Sequence, residues 1–367
     1  MGEGWGDMTR LRDLGLSIGT HPTGAHNAIS DVPGVLVGHT MLVYDEPRVA
    51  RTGVTVIVPR DGDVWQNNCF AGFHSFNGCG EMTSIHWVKE SGLLCSPIAI
   101  TCTHQVGTAH EALVRYGAER AKSYIGALPV VAETWDGWLS DANAHHLTHQ
   151  HVFDALDHAQ GGAVEEGCVG GGTGMICHEF KGGIGTSSRV AKTDSGEFVV
   201  GALVQSNHGD RALFRVDGVP VGREIGTDKV PMDWREPSEQ NNTGSSIIVV
   251  LATDAPLLPT QCERLAQRAT VGVARCGGVG YNGSGDLFLC FSTGNDVSEY
   301  DKTIRDVKML PHRQMNALFT AAAEAVEEAI LNSLVAATTT TSFKGRVVHA
   351  LPHDTLVQVM ASYRKAG

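Results

Sequence analysis

The chain has 367 residues, 42% of them hydrophobic and 6% aromatic, with a formal net charge of −12 at pH 7. This composition supplies a large core without disulfides or metal, and the 28 scattered lysines and arginines argue against nucleic acid or an anionic membrane as partner. The longest clean apolar run, IIVVLA, is far shorter than the ~20 residues of a membrane span.

Targeting signals and cysteine usage predict where the protein resides. The N-terminus, MGEGWGDM, is charged within three residues and lacks the apolar segment of a secretory signal. Nine cysteines without a C-x-x-C pair favour free thiols in a reducing compartment. We therefore expect a soluble cytoplasmic protein. Because no linker-like run divides the chain, we also expect residues 1–367 to form a single α/β domain.

Strands and helices alternate in the N-terminal half. Runs rich in β-branched residues, bounded by glycine or proline, predict strands, and helical patterns separate some of them. The predicted strands cover 34–42, 52–60, 96–103 and part of 127–139, and the predicted helices cover 80–94 and 107–121. This order indicates a layered α/β arrangement.

Two groups of residues in this half suggest other chemistry. Cys102 lies two residues before His104, and such a pair is a Cys/His nucleophile only if the two side chains converge. A helix predicted over 144–159 places His145 and His149 at a zinc-ligand spacing, but no H-E-x-x-H pattern accompanies it. Histidines on a polar helix are more often exposed, so we expect no metal and no cofactor.

The middle of the chain carries a glycine-rich loop and then a strand. Residues 165–191 contain five glycines between 167 and 174, but neither a P-loop nor a dinucleotide-binding pattern. The loop therefore predicts a close approach of backbone segments or of a small ligand. A strand predicted over 197–210 ends in the polar side chains of Ser206, Asn207 and His208.

The C-terminal part shows the clearest periodicity. A continuous apolar run predicts a buried strand, and a 3, 4 spacing of apolar residues predicts amphipathic helices. The predicted order is strand 246–254, helix 258–275, loop 276–286, strand 287–295, a long helix that includes 315–330, and a terminal helix 353–366.

Two serines stand directly before the most apolar strand, in NNTGSSIIVVLATD. In the simplest interpretation they are loop residues, and a dispersed Ser/His/Asp triad is a second one, although no G-x-S-x-G elbow precedes a helix. In a third, the chain cuts itself before Ser246. The new α-amino group, with an unperturbed pKa of about 7.7–8.0, then serves as the base for the hydroxyl of the same residue.

Long motifs resemble a known family. They are SSIIVVLATDAPLLPTQCERLAQRA, GYNGSGDLFLCFSTGN, GGGTGMICHEFKGGIGTSSRV, ALVQSNHGDR, NAISDVPGVLVGHT and PVVAETWDGWLSD. Over residues 15–360 the chain resembles the DmpA/BapA-like serine aminopeptidases, the β-aminopeptidase family (peptidase P1, formerly S58). The resemblance implies an α/β/β/α sandwich, layered like N-terminal nucleophile hydrolases but connected differently. It also implies self-cleavage between Ser245 and Ser246 into chains 1–245 and 246–367.

The resemblance also implies roles for individual residues. Ser246 matches the nucleophile, and Asn207 matches the asparagine whose amide stabilises the oxyanion. Ser284 and Asp286 match a serine and acid pair that orients groups near the nucleophile, and Glu133 matches the acid that meets the free amine of the substrate.

The chain departs from the family pattern at two positions. Trp135 stands where relatives have tyrosine, and an indole donates a hydrogen bond but cannot act as a phenol acid or acceptor. We therefore expect Trp135 to alter the substrate pocket. Ser245 stands before the nucleophile, where glycine or asparagine is expected.

The sequence thus predicts a processed serine aminopeptidase or amidase. Its expected substrates are short peptides, amides or esters, which form an acyl-enzyme on Ser246, and the family implies a homo-oligomer, commonly a tetramer of αβ units. One alternative is an amidase for linear, nylon-oligomer-like amides that needs no free amine. The other is an unprocessed, non-catalytic homologue.

Overall fold

The protein is described from a computed structural model, which covers residues 9–121, 126, 128–232 and 245–366. The α-helices in this part of the chain are α1 (Ile85–Ser91), α2 (Val106–Arg120), α3 (His149–Asp157), α4 (Val221–Glu224), α5 (Pro259–Ala266), α6 (Ala269–Arg275), α7 (Met315–Val335) and α8 (His353–Ala366). The strands are β1 (Leu36–Tyr44), β2 (Ala50–Val58), β3 (Asn68–Gly78), β4 (Leu93–Leu94), β5 (Ile98–Cys102), β6 (Val130–Thr134), β7 (Ile176–Cys177), β8 (Phe180–Lys181), β9 (Gly183–Thr193), β10 (Gly196–Asn207), β11 (Ser246–Thr253), β12 (Gly285–Val297), β13 (Thr340–Thr341) and β14 (Val347–Val348).

Two sheets pack face to face in the centre of the molecule. One has four strands in the order β1-β2-β5-β6, and the other has six in the order β4-β3-β12-β11-β10-β9. Ile98 and Ile100 of the smaller sheet belong to the same buried cluster as Ile248 and Val250 of the larger one. This cluster is the inner core of the fold.

Helices cover the outer face of each sheet. Leu113 of α2 and Phe153 of α3 share a buried cluster with Val54 and Val131 of the four-stranded sheet. Helices α5, α6 and α7 pack on the opposite face of the six-stranded sheet. The predicted α/β/β/α sandwich is therefore confirmed.

Strand β11 is buried on both faces, which explains its unbroken apolar sequence. Ile247 and Val249 face the helix layer, whereas Ile248 and Val250 face the other sheet. Full burial of each such side chain contributes about 1.5–3 kcal/mol. The strand runs parallel to β12 and antiparallel to β10, so the beginnings of β11 and β12 and the end of β10 meet at one end of the sheet.

Several predicted helices differ from those observed. The helix predicted over 80–94 is shorter, because Ser84 and Gly92 take left-handed conformations at its two ends and residues 93–94 form β4. The helix predicted over 258–275 consists of α5 and α6, separated at residues 267 and 268. The helix predicted over 144–159 begins only at His149.

Three strands of the larger sheet were not among the predicted elements: β4, which lies at the end of a predicted helix, β3 and β9. Polar residues interrupt the apolar alternation of β3, as in the segment HSFNG. Strand β9 lies within the predicted glycine loop. A Cβ on Gly185 would come 1.9 Å from the carbonyl oxygen of Ala329, so glycine there lets α7 approach the strand closely.

Among the described residues, none of the helices combines the length and the apolar character needed to cross a membrane.

Candidate active site

Ser246 lies where three strand ends meet. It is the first residue of β11, it pairs with Asn207 at the end of β10, and on its other side it pairs with Gly285 at the beginning of β12. The residue is buried, with 5% of its surface exposed. The two regular ladders therefore hold the predicted nucleophile in a fixed register between a side-chain amide and a backbone amide.

The backbone N–H of Gly285 donates to two atoms of the serine pair. It lies 3.1 Å from the carbonyl oxygen of Ser245 and 3.1 Å from Oγ of Ser246. This donor places the Ser246 hydroxyl beside the carbonyl of the peptide bond that is predicted to be cut. The segment NNTG that precedes the two serines, residues 241–244, lies outside the described residues.

Ser284 and Asp286 flank Gly285 and form a hydrogen-bonded pair. The Ser284 hydroxyl lies 2.6 Å from Oδ1 of Asp286 and 3.3 Å from Oγ of Ser245. A hydroxyl has one proton, so when Asp286 is ionised Ser284 donates to the carboxylate and accepts from Ser245. Burial raises the pKa of Asp286 to about 6, against the opposing effect of hydrogen bonds from Ser284 and the backbone of Ile247.

Hydrogen bonds on both sides orient the side-chain amide of Asn207. Its Oδ1 accepts from the backbone N–H of Ile176 at 2.8 Å, and its Nδ2 donates to the carbonyl oxygen of Trp135 at 3.0 Å. These two bonds fix the plane of the amide next to Ser246. A preoriented amide donor is the kind of group that stabilises a developing oxyanion.

The Glu133 carboxylate belongs to the other sheet, on β6. Its Oε1 accepts from the backbone N–H of Glu81 at 2.9 Å, and Thr103 donates to Oε2. Burial raises its pKa, whereas the bonds from Thr103 and Glu81 lower it. A cation bound beside this buried carboxylate would stabilise its ionised form.

Gly80 lies between Glu133 and the strand ends. A Cβ at residue 80 would come 2.9 Å from Cα of Gly285 and 3.1 Å from Oε1 of Glu133. Gly80 itself is exposed. The Glu133 carboxylate therefore lies near Gly285, the strand partner of Ser246, although Glu133 belongs to a different sheet.

The Trp135 indole packs beside this region. Its ring meets the ring of His104 edge to face, with the centroids 4.8 Å apart. A Cβ at Gly137 would lie 2.1 Å from the indole, so glycine there makes room for the large side chain. Trp135 is linked to the predicted catalytic residues through its backbone carbonyl, which accepts the hydrogen bond from Nδ2 of Asn207.

The structure does not support the two alternative sites that the sequence suggested, the Cys102/His104 nucleophile and the His145/His149 metal site. The Cys102 thiol is buried, its pKa is raised well above the ordinary value by burial, and it donates to Asp136 at 2.9 Å while His104 packs on Trp135. This environment does not suit a thiolate nucleophile. His145 precedes α3 in a left-handed conformation and so does not share a helical face with His149, which contacts Glu111.

Two features of the site were not predicted. Gly285 acts through a backbone N–H, which has no side-chain signature in a sequence. Its position between Ser284 and Asp286, at the start of a predicted strand beside a parallel partner, is the only signal that could have indicated it. Gly80 acts by lacking a side chain, which sequence alone does not distinguish from an ordinary turn glycine.

The layering of the fold and the serine at the start of a central strand define a hydrolase with a variant of the N-terminal nucleophile fold. The model of Peptidase family S58 matches residues 27–348, so the chain belongs to this family and is an aminopeptidase.

Individual relatives are similar over almost the entire chain. The β-peptidyl aminopeptidase BapA of Sphingosinicella microcystinivorans is 43% identical and aligns with 97% of this chain and 93% of its own. A β-aminopeptidase of Burkholderia sp. is 49% identical, with a TM-score of 0.88 over 96% of this chain and 99% of its own. The L-aminopeptidase D-Ala-esterase/amidase of Ochrobactrum anthropi, described as a prototype of the serine aminopeptidases and a new variant of the Ntn hydrolase fold, is 42% identical, with a TM-score of 0.88 over 98% of this chain and 99% of its own.

Proposed function

We propose that this aminopeptidase processes itself between Ser245 and Ser246 and then releases N-terminal residues from short peptides, amides or esters through an acyl-enzyme on Ser246. The observation that supports it is the Gly285 N–H, which lies 3.1 Å from both the Ser245 carbonyl oxygen and the Ser246 hydroxyl. The nucleophile, the bond to be cut and a donor for the oxyanion thus lie together.

Self-cleavage begins with attack of Ser246 Oγ on the carbonyl carbon of Ser245. The Gly285 N–H stabilises the resulting oxyanion, and the C–N bond then breaks to leave an ester. The proton lost by the hydroxyl ends on the nitrogen of Ser246, and we assign its transfer to Ser284 and Asp286. Water hydrolyses the ester and leaves chains of 245 and 122 residues, about 26 and 13 kDa.

In the processed enzyme, the α-amine of Ser246 takes the proton of its own hydroxyl as Oγ attacks the substrate carbonyl. Asn207 Nδ2 and the Gly285 N–H donate to the oxyanion. The leaving amine departs with that proton, and water then hydrolyses the acyl-enzyme. The buried strand β11 holds the new chain end in position for both steps.

Glu133 selects substrates with a free amine. A substrate ammonium ion that enters beside Gly80 meets a carboxylate already oriented by Thr103 and Glu81. The ion pair offsets the desolvation of the acid, and a blocked amine leaves the carboxylate without this partner. A free-amine requirement distinguishes an aminopeptidase from the linear-amide hydrolase.

A denaturing gel of the purified protein tests processing. We expect two bands of about 26 and 13 kDa, with the smaller beginning SIIVVLATD. Ser246→Ala should give one full-length band and no hydrolysis, whereas the control Ser245→Ala should still split. A wild-type chain that stays intact and hydrolyses no amide would contradict the proposal and favour the non-catalytic homologue.

Comparing one amide with its N-acetylated form tests the amine requirement. We expect the acetylated compound to be a poor substrate for the wild type. Equal turnover of the two compounds would instead identify an amidase that needs no free amine.

We further propose a cytoplasmic homo-oligomer, a tetramer of αβ units. The nine free cysteines are in keeping with a reducing compartment, and β1 is an edge strand with Met41 and Val43 exposed. Light scattering after size-exclusion chromatography tests the assembly, and a monomeric mass would contradict it.

A further inference from the structure

Three side chains with metal-binding atoms cluster between the β7–β8 turn and the end of β10. Cys177 ends β7, His178 follows it in the turn to β8, and His208 follows Asn207 at the end of β10. One ligand atom from each lies within 4.8 Å of the other two, and the Sγ of Cys177 lies 3.9 Å from Nδ1 of His208. All three residues are buried.

Unsatisfied ring nitrogens indicate that the cluster is built for a ligand. The Nδ1–H of His178 donates to the carbonyl oxygen of Asp210 at 3.1 Å, which leaves the lone pair of that ring on Nε2. Within the described part of the chain, neither Nε2 of His178 nor Nε2 of His208 has a hydrogen-bond partner. Buried polar atoms without partners are rare, whereas a carbonyl that fixes the tautomer of a histidine is typical of metal sites.

The surrounding residues hold the His178 ring in place. The Phe214 ring stacks on it with the centroids 4.9 Å apart, and a Cβ at Gly209 would come 2.3 Å from its Cε1. The charged side chains beside it, Asp210 and Arg211, have opposite effects on the charge of the ring. The cluster is thus closely packed, and the two neighbouring charges offset each other at His178 before any cation binds.

We propose that Cys177, His178 and His208 bind one divalent cation of the zinc class. A cysteine thiolate and two imidazoles are ligands that Zn²⁺ prefers, and three protein ligands leave its fourth position open to water. Tetrahedral Zn²⁺ places such ligand atoms about 3.5 Å apart, so atoms that lie within 4.8 Å of one another need to approach by at most about 1.3 Å. The sulfur donates an electron pair to the metal, and the thiol proton passes to solvent.

This metal site adjoins the candidate active site without sharing its predicted residues. Ile176, next to Cys177, donates to Oδ1 of Asn207. His208 also lines a small cavity with Ser245, Ser284 and Asp286. A cation would therefore brace the hairpin that orients the oxyanion donor.

Cobalt is the probe for this site, because Co²⁺ bound by thiolate has a charge-transfer absorption that Zn²⁺ lacks. We expect purified, chelator-treated wild type to develop this absorption up to one equivalent of Co²⁺ per chain, and Zn²⁺ to abolish it. Cys177→Ser should remove the absorption, and His208→Gln should weaken Co²⁺ binding at least about tenfold. Cys69→Ser, which alters another fully buried cysteine, should have no effect.

Two results would overturn the proposal. One is the absence of the charge-transfer absorption when chelator-treated wild type is titrated with Co²⁺, and the other is an unchanged absorption in a folded Cys177→Ser.

Discussion

The two halves of the candidate active site come from different sheets and are held by different contacts. The six-stranded sheet supplies Ser246, Asn207 and Gly285 as direct partners in backbone ladders. The four-stranded sheet supplies Glu133, and a Cβ built on Gly80 would contact both its Oε1 and Cα of Gly285. One half is thus set by strand register, the other by the packing of one sheet on another.

This difference corresponds to two tasks in the proposed mechanism, the chemical reaction and the recognition of the substrate amine. In the proposed mechanism, bond making and breaking use only groups of the six-stranded sheet, where a shift of register would disrupt the entire strand. In the same proposal, recognition of the amine uses Glu133 and the solvent-exposed turn at Gly80. Changes in the first half should therefore reduce kcat for every substrate, whereas changes in the second should depend on the amine of the substrate.

The largest effect among these tests is expected for Asn207→Asp. The new carboxylate keeps an acceptor for the Ile176 N–H but removes the Nδ2 donor. We expect kcat to fall at least about 100- to 1,000-fold, equally for free-amine and acetylated substrates. An unchanged kcat in a variant with normal thermal unfolding would show that another group stabilises the oxyanion.

Ser284→Ala should reduce the rate of self-cleavage and change the pH dependence of that rate. In the wild type we expect the rate of self-cleavage to fall as the pH drops through about 6, because Asp286 must be ionised to accept the Ser284 proton. Without the hydroxyl, the carboxylate loses a bond that lowers its pKa, so this acid limb should move to higher pH. The rate should fall on the order of 100-fold.

The pH experiment needs a control, because the pKa of Glu133 is also raised. If Asp286 determines the acid limb near pH 6, Glu133→Gln should retain it. Loss of the limb in Glu133→Gln would assign it to the amine-binding half instead.

Glu133→Gln should have a smaller and more selective effect. Glutamine keeps an acceptor for the Glu81 N–H but removes the charge. Loss of a charged contact worth about 1.5–3 kcal/mol should lower kcat/KM for the free amine about 10- to 100-fold. Turnover of the acetylated substrate should hardly change, and an equal loss for both substrates would contradict the division between the two halves.

The same division explains what could be predicted from the sequence. Strand β11 and helix α7 were recognisable in the sequence because a buried strand and a buried helix both require long runs or spacings of apolar residues. The motif resemblance identified Ser246, Asn207, Ser284, Asp286 and Glu133. Three other features depend on how distant segments pack. They are the hydrogen bonds of the Gly285 N–H, the contacts of Gly80, and the cluster of Cys177 and His208. No local spacing in the chain encodes those distances.

The smallest expected effect tests the link between the halves. Gly80→Ala adds a methyl group 2.9 Å from Cα of Gly285 and 3.1 Å from Oε1 of Glu133, whereas Gly78→Ala, in the same region, adds one whose nearest contact is the Ser75 hydroxyl at 3.5 Å. Because the added methyl group crowds the Glu133 carboxylate, Gly80→Ala should lower kcat/KM for free amines about tenfold, mainly through KM, which corresponds to about 1.4 kcal/mol. Gly78→Ala should resemble the wild type. If both variants behave alike, the turn does not lie on the path of the amine, and Glu133 must be reached from another side.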